Sequence, residues 1–302
     1  CSWFNLINND IWYHMTAGKL ILDQGSIPRS DPFSYTRSGA PWVPHSWLAE
    51  VLFYKLYSAG GIQALLLLRS FVTGLIVVVL AVTFRTLKCG WVSAVVAALL
   101  ACLVFHYRLL VQPHLFSILG LALLLLFDTL RRQGKKWAWI GLVVGMVLWA
   151  NIHSGVIFGL IYLGCRALGE SVSAVILRRG FPVKQILLFW TVPLVCFGAA
   201  LVNPLGLESL LYPVKLSGAK FTFSYIGEFR QPQWGDLFPG ILLFAAIGLL
   251  RLFWRDKRPS LGEGIAFALF LFYALRVRRG GDSFAVVASP WVAATLSVVD
   301  DR

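Results

Sequence analysis

Charged residues are scarce in this sequence. Only 14% of its 302 residues are charged, whereas soluble globular proteins contain about 25%. A soluble domain of this size needs a polar surface, and so few charges would leave large apolar patches in contact with water. The apolar set makes up 58% of the chain, which also excludes a disordered chain, a collagen-like chain and a small disulfide scaffold. The composition therefore indicates a polytopic membrane protein.

Several common catalytic and metal-binding motifs are also missing. The sequence has no Walker loop, no dinucleotide glycine fingerprint, no His-Glu-x-x-His pair and no Gly-x-Ser-x-Gly elbow, which argues against nucleotide-driven transport and zincin proteolysis. Its five cysteines have no zinc-site spacing, and most lie in apolar segments, so they indicate neither a zinc site nor a disulfide. The net charge of +13 does not indicate a nucleic-acid partner, because the basic residues stand in short groups between apolar runs.

The chain begins with Cys1, and its first 60 residues lack the basic and apolar regions of a signal peptide. A processed lipoprotein could begin with cysteine. We expect instead a fragment that lacks an upstream helix.

Nine apolar segments have the length of membrane helices or come close to it. Segments 137–150 and 155–169 are short, and they could form one re-entrant pair around Asn151. The predicted fold is an all-α polytopic membrane protein, with about nine membrane helices in one bundle over 61–302. The predicted spans are 61–84, 90–107, 114–130, 137–150, 155–169, 185–202, 238–254, 260–276 and 284–299.

Lysine and arginine predict the orientation of the bundle. One set of alternate loops is richer in these residues over a shorter length of chain, so this set is expected on the cytoplasmic side. Residues 1–60 and 203–237 then form two outer loops. In the first loop, residues 10–24 and Trp47 to Tyr57 have the periodicity of helices that lie in the membrane interface. The expected buried stripe of the first helix is Ile11, Met15 and Leu22, with Trp3 and Trp12 at the headgroup level.

Titratable residues are concentrated on the predicted outer side. A polar cluster that faces one aqueous side of a bundle is what a membrane-embedded active site requires, although outer loops are also where polar residues are tolerated. The cluster comprises His14, His45, His106, His114, His153, Asp10, Asp31, Glu50 and Glu228.

Two parts of this cluster have both a structural and a functional interpretation. Asp10 precedes an aromatic-rich helix and could cap it, or it could act as a general base or a metal ligand at the water boundary. Arg108 and His114 flank the outer junction of two spans. The arginine could extend toward lipid headgroups, or its guanidinium could bind a substrate phosphate.

Three further segments carry similar alternatives. Asn151 and His153 interrupt a continuous apolar stretch, either as an ordinary turn or as part of a site. Glu228 in the second loop could recognise a sugar or form a surface ion pair. An arginine group follows a span on the outer side, against the positive-inside trend, and could bind phosphate or anionic lipid headgroups. These arginines are Arg276, Arg278 and Arg279.

The sequence resembles the GT-C class of polytopic glycosyltransferases, and in particular its bacterial members related to the protein-mannosyltransferase and lipopolysaccharide-sugar transferase branch. The resemblance depends mainly on NNDIWYHMTAG at 8–18, PRSDPFSYT at 28–36 and PWVPHSWLAE at 41–50. Weaker matches are QPHLF at 112–116, NIHSG at 151–155, NPLG at 203–206 and IGEF at 226–229.

This resemblance implies an enzyme of the bacterial inner membrane with its active face extracytoplasmic. Such an enzyme moves a sugar from a polyprenyl-phosphate donor to an acceptor, and an acid of the first outer loop is its catalytic centre. Asp10 matches the second acid of the family's Asp-x-Asp-like pair, while Asn8 stands in place of the first, so a divalent cation stays an open question with Asp10 its favoured ligand. The family's first membrane helix, which should precede this loop, is absent from the sequence.

The sequence thus predicts Asp10 as general base, accepting the proton of the acceptor hydroxyl. The partners expected are the lipid-linked donor, the bilayer and an acceptor whose identity is open. A transporter or flippase is the main alternative, and a non-catalytic scaffold is another. The residues expected to bind substrate or phosphate are His14, Asp31, His45, Arg108, His114, Asn151, His153, Glu228, Arg276, Arg278 and Arg279.

Overall fold

The computed structural model of the protein describes residues 10–178, 182–218, 226–235, 238–253 and 258–300. Every regular element in these ranges is a helix, which confirms the predicted all-α class. The α-helices are α1 (Asp10–Gln24), α2 (Trp47–Thr86), α3 (Trp91–Phe105), α4 (His114–Arg132), α5 (Ala138–Ile152), α6 (Val156–Arg178), α7 (Val183–Ala200), α8 (Leu207–Gly218), α9 (Phe238–Leu249), α10 (Leu261–Arg276) and α11 (Gly280–Asp300).

Each of the nine predicted spans coincides with a helix, but only part of the predicted number of crossings is confirmed. Within the described ranges, five helices are long and apolar enough to cross a membrane: α2, α3 with the 3₁₀ turn His106–Arg108, α4, α6 and α7. The helices α5 and α9 are apolar but shorter. A helix of 15 residues such as α5 is about 22 Å long, against a hydrocarbon core of about 30 Å. The total of about nine crossings therefore stays a prediction.

Helix α6 extends well beyond its predicted end at 169, because charged residues near that end are paired inside the protein. Arg166 Nη1 lies 2.6 Å from Glu263 Oε1 on α10, and Glu170 contacts Arg132 on α4. These pairs lie at the end of the bundle that was predicted to be cytoplasmic. Since α6 is long enough to cross a membrane, α5 and α6 are not two equally short arms of a re-entrant pair.

The predicted first outer loop contains two helical segments, in agreement with the helical periodicity of its sequence. α1 begins at Asp10 and ends at Gln24, and its buried face includes Ile11 and Met15 but has Ile21 where Leu22 was expected. Leu22 is exposed, although at 3.6 residues per turn it lies on the stripe through 11 and 15. The second half of α1 instead buries Ala17, Gly18 and Ile21. Trp12 is also exposed, whereas Trp3 lies outside the described residues.

The second segment is the start of α2, which breaks at two glycines before it enters the bundle. Gly60 and Gly61 have non-helical backbone angles, and Gly61 has φ of 62°, a region that favours glycine. α1 packs closely against the segment before the break. A Cβ atom on Gly18 would lie 2.0 Å from the Glu50 carbonyl oxygen, so this contact requires a glycine. We call α1 together with residues 47–59 the lid.

The core of the bundle is α11. Nearly every side chain from Phe284 to Ala293 is buried, and α11 packs against α3, α9 and α10. A helix that is apolar on all sides belongs in the centre of a bundle. The outer helices show the opposite pattern, since α7 exposes Leu187, Leu188 and Leu194. Apolar residues so exposed are suited to contact with lipid.

Helices α6 and α10 cross at glycines. A Cβ atom on Gly169 would lie 2.1 Å from the Gly262 nitrogen, and one on Gly262 would lie 2.7 Å from the Arg166 carbonyl oxygen. Small residues allow such close approach of two helix backbones. The crossing fixes how α10 lies against α6 and hence, at their other ends, two walls of the cavity described below.

We expect Gly169→Ala to destabilise the protein by about 1–3 kcal/mol, because the added methyl group forces the two helices apart. The midpoint of thermal unfolding in detergent measures this. Gly164→Ala is the matched control on the same helix, since nothing lies within 4 Å of its Cβ position. Equal unfolding midpoints for the two variants would contradict the close crossing.

Candidate functional site

A cavity of about 490 Å³ lies at the end of the bundle that was predicted to face outward. It is lined by α1, the start of α4, the α5–α6 link, α8, the end of α10 and the link between α10 and α11. Many residues that the sequence marked as candidates meet here, although they are far apart along the chain. The candidates that line the cavity are Asp10, His14, His45, Arg108, His114, His153, Glu228 and Arg279.

The lid contributes Asp10 and His14, which are one turn apart on α1 and therefore share a face. Asp10 Oδ2 accepts a hydrogen bond of 2.9 Å from Gln112 Nε2 at the α3–α4 link. This bond connects the carboxylate to the bundle. Asp10 also lies in the first turn of α1, where the helix dipole favours a negative charge.

His14 is held by an acid from the second helix of the lid. Its Nδ1 lies 3.1 Å from Glu50 Oε1, and the Glu50 side chain is only 3% exposed. A carboxylate can only accept a hydrogen bond, so Nδ1 carries the proton. In the neutral form of the ring, Nε2 then keeps its lone pair. His14 can therefore accept a hydrogen bond from a substrate hydroxyl in the cavity.

His153 is held in the opposite tautomer. The Gly155 N–H donates to its Nδ1 at 3.0 Å, and Ser117 Oγ lies 2.7 Å from the same atom. A backbone amide can only donate, so Nδ1 accepts and the proton is on Nε2. Burial lowers the pKa of His153 well below its usual range, and nearby cationic groups act in the same direction. The ring is therefore neutral at physiological pH and offers an N–H group.

The other two histidines of the cavity are also fixed by neighbours. His114 Nε2 donates to the carbonyl oxygen of Arg108 at 2.6 Å. His45 stacks on Tyr212 of α8, with 4.0 Å between ring centroids. Burial lowers the pKa of His45 to about 4, so this ring too is neutral. Burial therefore keeps His45 and His153 neutral, and both rings remain able to form hydrogen bonds in the cavity.

Arg108 is buried, with 2% of its side chain exposed, and so it does not extend to the lipid headgroups. Its Nη1 lies 2.5 Å from Glu228 Oε1, and its Nε lies 3.5 Å from Asp282 Oδ2 on α11. Two acids therefore compensate its charge, which ties the second outer loop to the core of the bundle.

The structure places the three arginines at and after the end of α10 in different surroundings. Arg279 lines the cavity, and its guanidinium lies over the Phe229 ring at 4.7 Å. Within the described residues it makes no ion pair, so its charge is available to a ligand. Arg278 contributes its backbone, which accepts a 2.5 Å hydrogen bond from Tyr107 Oη. Arg276 is exposed and lies over Phe272, and neither of these two lines the cavity.

Asn151 lies beside the cavity but holds helices together. Its Oδ1 accepts from Trp47 Nε1 at 3.2 Å, and its Nδ2 donates to the carbonyl oxygens of Val147 and Val202 at 2.8 Å. These bonds join α2, α5 and the end of α7.

Asp31 forms a turn away from the cavity. Its carboxylate accepts from the backbone of Phe33 and Ser34 and from the Ser34 hydroxyl, and these bonds lower its pKa. The structure therefore gives both Asn151 and Asp31 a structural role, and their expected contact with substrate has no support from the geometry.

No family model, no curated protein and no solved structure matches this chain. The functional argument therefore depends on the chemistry of the cavity.

One wall of the cavity is apolar. It is formed by Ile157, Phe158 and Ile161 of α6 together with Leu269 and Phe270 of α10. The rest of the lining includes the acids, the histidines and Arg279. A cavity lined by both polar and apolar groups suits an amphipathic ligand better than a sugar or a hydrocarbon alone.

The described residues contain no group of three His, Cys, Asp or Glu side chains placed to hold a metal ion. Asn8, which stands in place of the first acid of the expected pair, lies outside these residues. The cation therefore stays an open question, with Asp10 its only favoured ligand.

Several residues in or beside the site were not predicted from the sequence to belong to it. Asp282 stands at the start of an apolar helix, and a carboxylate in such a place is a signal for a buried partner. Ser117 lies within an apolar span and had no distinguishing signal. Tyr212 was missed because residues 203–237 were expected to form an outer loop, whereas the structure has α8 in this range. The full set is Gln112, Ser117, Tyr212 and Asp282.

Proposed function

We propose that the protein is a membrane glycosyltransferase of the GT-C type. It moves a sugar from a polyprenyl-phosphate donor to an acceptor on the extracytoplasmic face of the bacterial inner membrane. The observation that supports the proposal is the cavity, whose lining combines an acid, hydrogen-bonding histidines and an arginine with a group of apolar residues from α6 and α10. A lipid-linked phosphosugar has the same division into polar and apolar parts.

Asp10 is the general base of the proposed reaction. Its carboxylate accepts the proton of the acceptor hydroxyl as that oxygen forms a bond to the anomeric carbon. The bond from the anomeric carbon to the phosphate oxygen breaks, and its electron pair leaves with the phosphate. His14 Nε2 accepts a hydrogen bond from a substrate hydroxyl and helps to orient it.

The departing phosphate acquires negative charge, which the site has to stabilise. Arg279 suits this role better than Arg108. Arg108 is already paired with two acids, whereas Arg279 lines the cavity without a carboxylate within ion-pair distance among the described residues. We therefore assign the main phosphate contact to Arg279 and a supporting role to Arg108.

The proposal is tested with the full-length protein in membranes, which supply endogenous acceptors. A polyprenyl-phosphate donor with a labelled sugar is added, and label in a new product is measured. The same sugar on a nucleotide is the matched control, and we expect it to give no product. Movement of the labelled lipid across the bilayer without any new product would favour the flippase instead.

A further inference from the structure

A series of hydrogen bonds connects the buried Trp149 with Ser117 and His153, which are half-buried, and the proposed reaction does not use these residues directly. Trp149 Nε1 of α5 donates to Ser117 Oγ of α4 at 2.8 Å. Because this bond occupies an acceptor position of the hydroxyl, the Ser117 proton is free to point at His153 Nδ1, 2.7 Å away. The Gly155 N–H donates to the same nitrogen. Two donors therefore converge on Nδ1 and leave the ring proton on Nε2.

Glycines around these hydrogen bonds provide the space that Trp149, Ser117 and His153 occupy. A Cβ atom on Gly155 would lie 2.3 Å from Ser117 Oγ and 2.7 Å from His153 Nδ1. Gly120 and Gly159 clear the space around Trp149, whose ring lies 2.5 Å and 2.8 Å from their Cβ positions. Glycine lowers helix stability by about 1 kcal/mol relative to alanine. At these positions glycine is required because a larger residue would collide with Trp149, Ser117 or His153.

We propose that Trp149 and Ser117 are positioning residues that fix His153 as a neutral hydrogen-bond donor, and that His153 Nε2–H and Arg279 together bind the phosphate of the lipid-linked ligand. The inference rests on the proposed function for the identity of the ligand. Both groups line the same cavity. A neutral donor beside a cation adds a hydrogen bond without a second buried positive charge, which would be costly to bury.

The experiment measures binding of a polyprenyl phosphate without a sugar to the full-length protein in nanodiscs, so that it does not require catalysis. We expect Ser117→Ala to weaken binding about tenfold, which corresponds to about 1.4 kcal/mol. Ser171→Ala is the matched control. Ser171 is buried, and its hydroxyl donates to a helix carbonyl at 2.7 Å, but it does not line the cavity. We expect the affinity of Ser171→Ala for polyprenyl phosphate to equal that of wild type.

Variants of His153 separate a donor role from a structural one. Glutamine places an amide N–H close to the position of Nε2–H, so His153→Gln should bind within a few-fold of wild type. His153→Leu retains bulk without a donor and should lose at least tenfold. Equal losses in both variants, or an unchanged affinity in Ser117→Ala, would overturn the proposal.

The tautomer provides a second readout that a purely structural role would not affect. Solid-state ¹⁵N spectra of histidine-labelled protein should show His153 protonated at Nε2, with its signal assigned by its loss in His153→Gln. A proton at Nδ1 would overturn the proposal. The binding assay also separates two failures. If wild type binds the lipid phosphate through His153 but transfers no sugar, the proposed function fails and the inference holds.

Discussion

Replacing Asp10 by asparagine should reduce sugar transfer by about 10²–10⁴-fold, the usual contribution of a general base. Asparagine retains the side-chain oxygen that accepts the hydrogen bond from Gln112 Nε2, so the position of the lid should be preserved. The amide cannot take up the proton of the acceptor hydroxyl. Transfer from the labelled polyprenyl-phosphate donor, normalised to the amount of folded protein, measures the effect.

Asp23→Asn is the matched control for this variant. Asp23 lies on the same helix, is exposed and does not line the cavity, so its replacement should leave transfer unchanged. Full transfer by Asp10→Asn would remove Asp10 from the mechanism. If Asp10→Asn loses transfer but also fails to insert or fold, Asp10 has a structural role at the start of α1 instead.

Replacing Arg108 by leucine should destabilise the protein by about 3–5 kcal/mol, because it leaves two acids without their buried partner. Glu228 Oε1 and Asp282 Oδ2 lie 2.5 Å and 3.5 Å from the guanidinium. The comparison is made by reversible unfolding in mixed micelles. Adding Glu228→Leu and Asp282→Leu to the same protein should restore much of the loss, because apolar residues of similar volume are tolerated where a buried ion pair was.

The ion pair of Arg29 and Glu208 provides the control for Arg108. Both partners are more than half exposed and lie 3.5 Å apart, so Arg29→Leu should change the free energy of unfolding by less than about 1 kcal/mol. Similar effects at Arg29 and Arg108 would show that burial does not distinguish the two pairs.

The sequence predicted the positions of the helices other than α8, because they have an apolar run or an apolar stripe with polar residues or glycine at the ends. The start of α1 at Asp10 and the start of α2 at Trp47 are clear examples. The number of crossings was harder to obtain. Helices such as α5 and α9 are apolar but short, and hydropathy alone does not distinguish a short buried helix from a membrane span.

Part of the site was predicted from the sequence, because polar residues stand out in an apolar chain. Asp10, His14, His153 and Arg279 are all brought together as expected. The prediction included Asp31 because it belongs to the polar cluster on the predicted outer side, yet its carboxylate accepts hydrogen bonds from its own turn. Pairs such as Arg108 with Asp282 depend on contacts between helices that are far apart in the chain, and no local pattern encodes them.

The break in α2 determines how far the lid reaches. The part of α2 before Gly60 and Gly61 has about 13 residues and is about 20 Å long. A change of about 10° in the angle at the glycines would therefore move its far end by about 3.5 Å, whereas an error of about 1 Å in the placement of a reacting group can cost about 10²-fold in rate. The backbone angles at the two glycines thus determine the position of the Asp10 carboxylate on α1, although neither glycine contacts it.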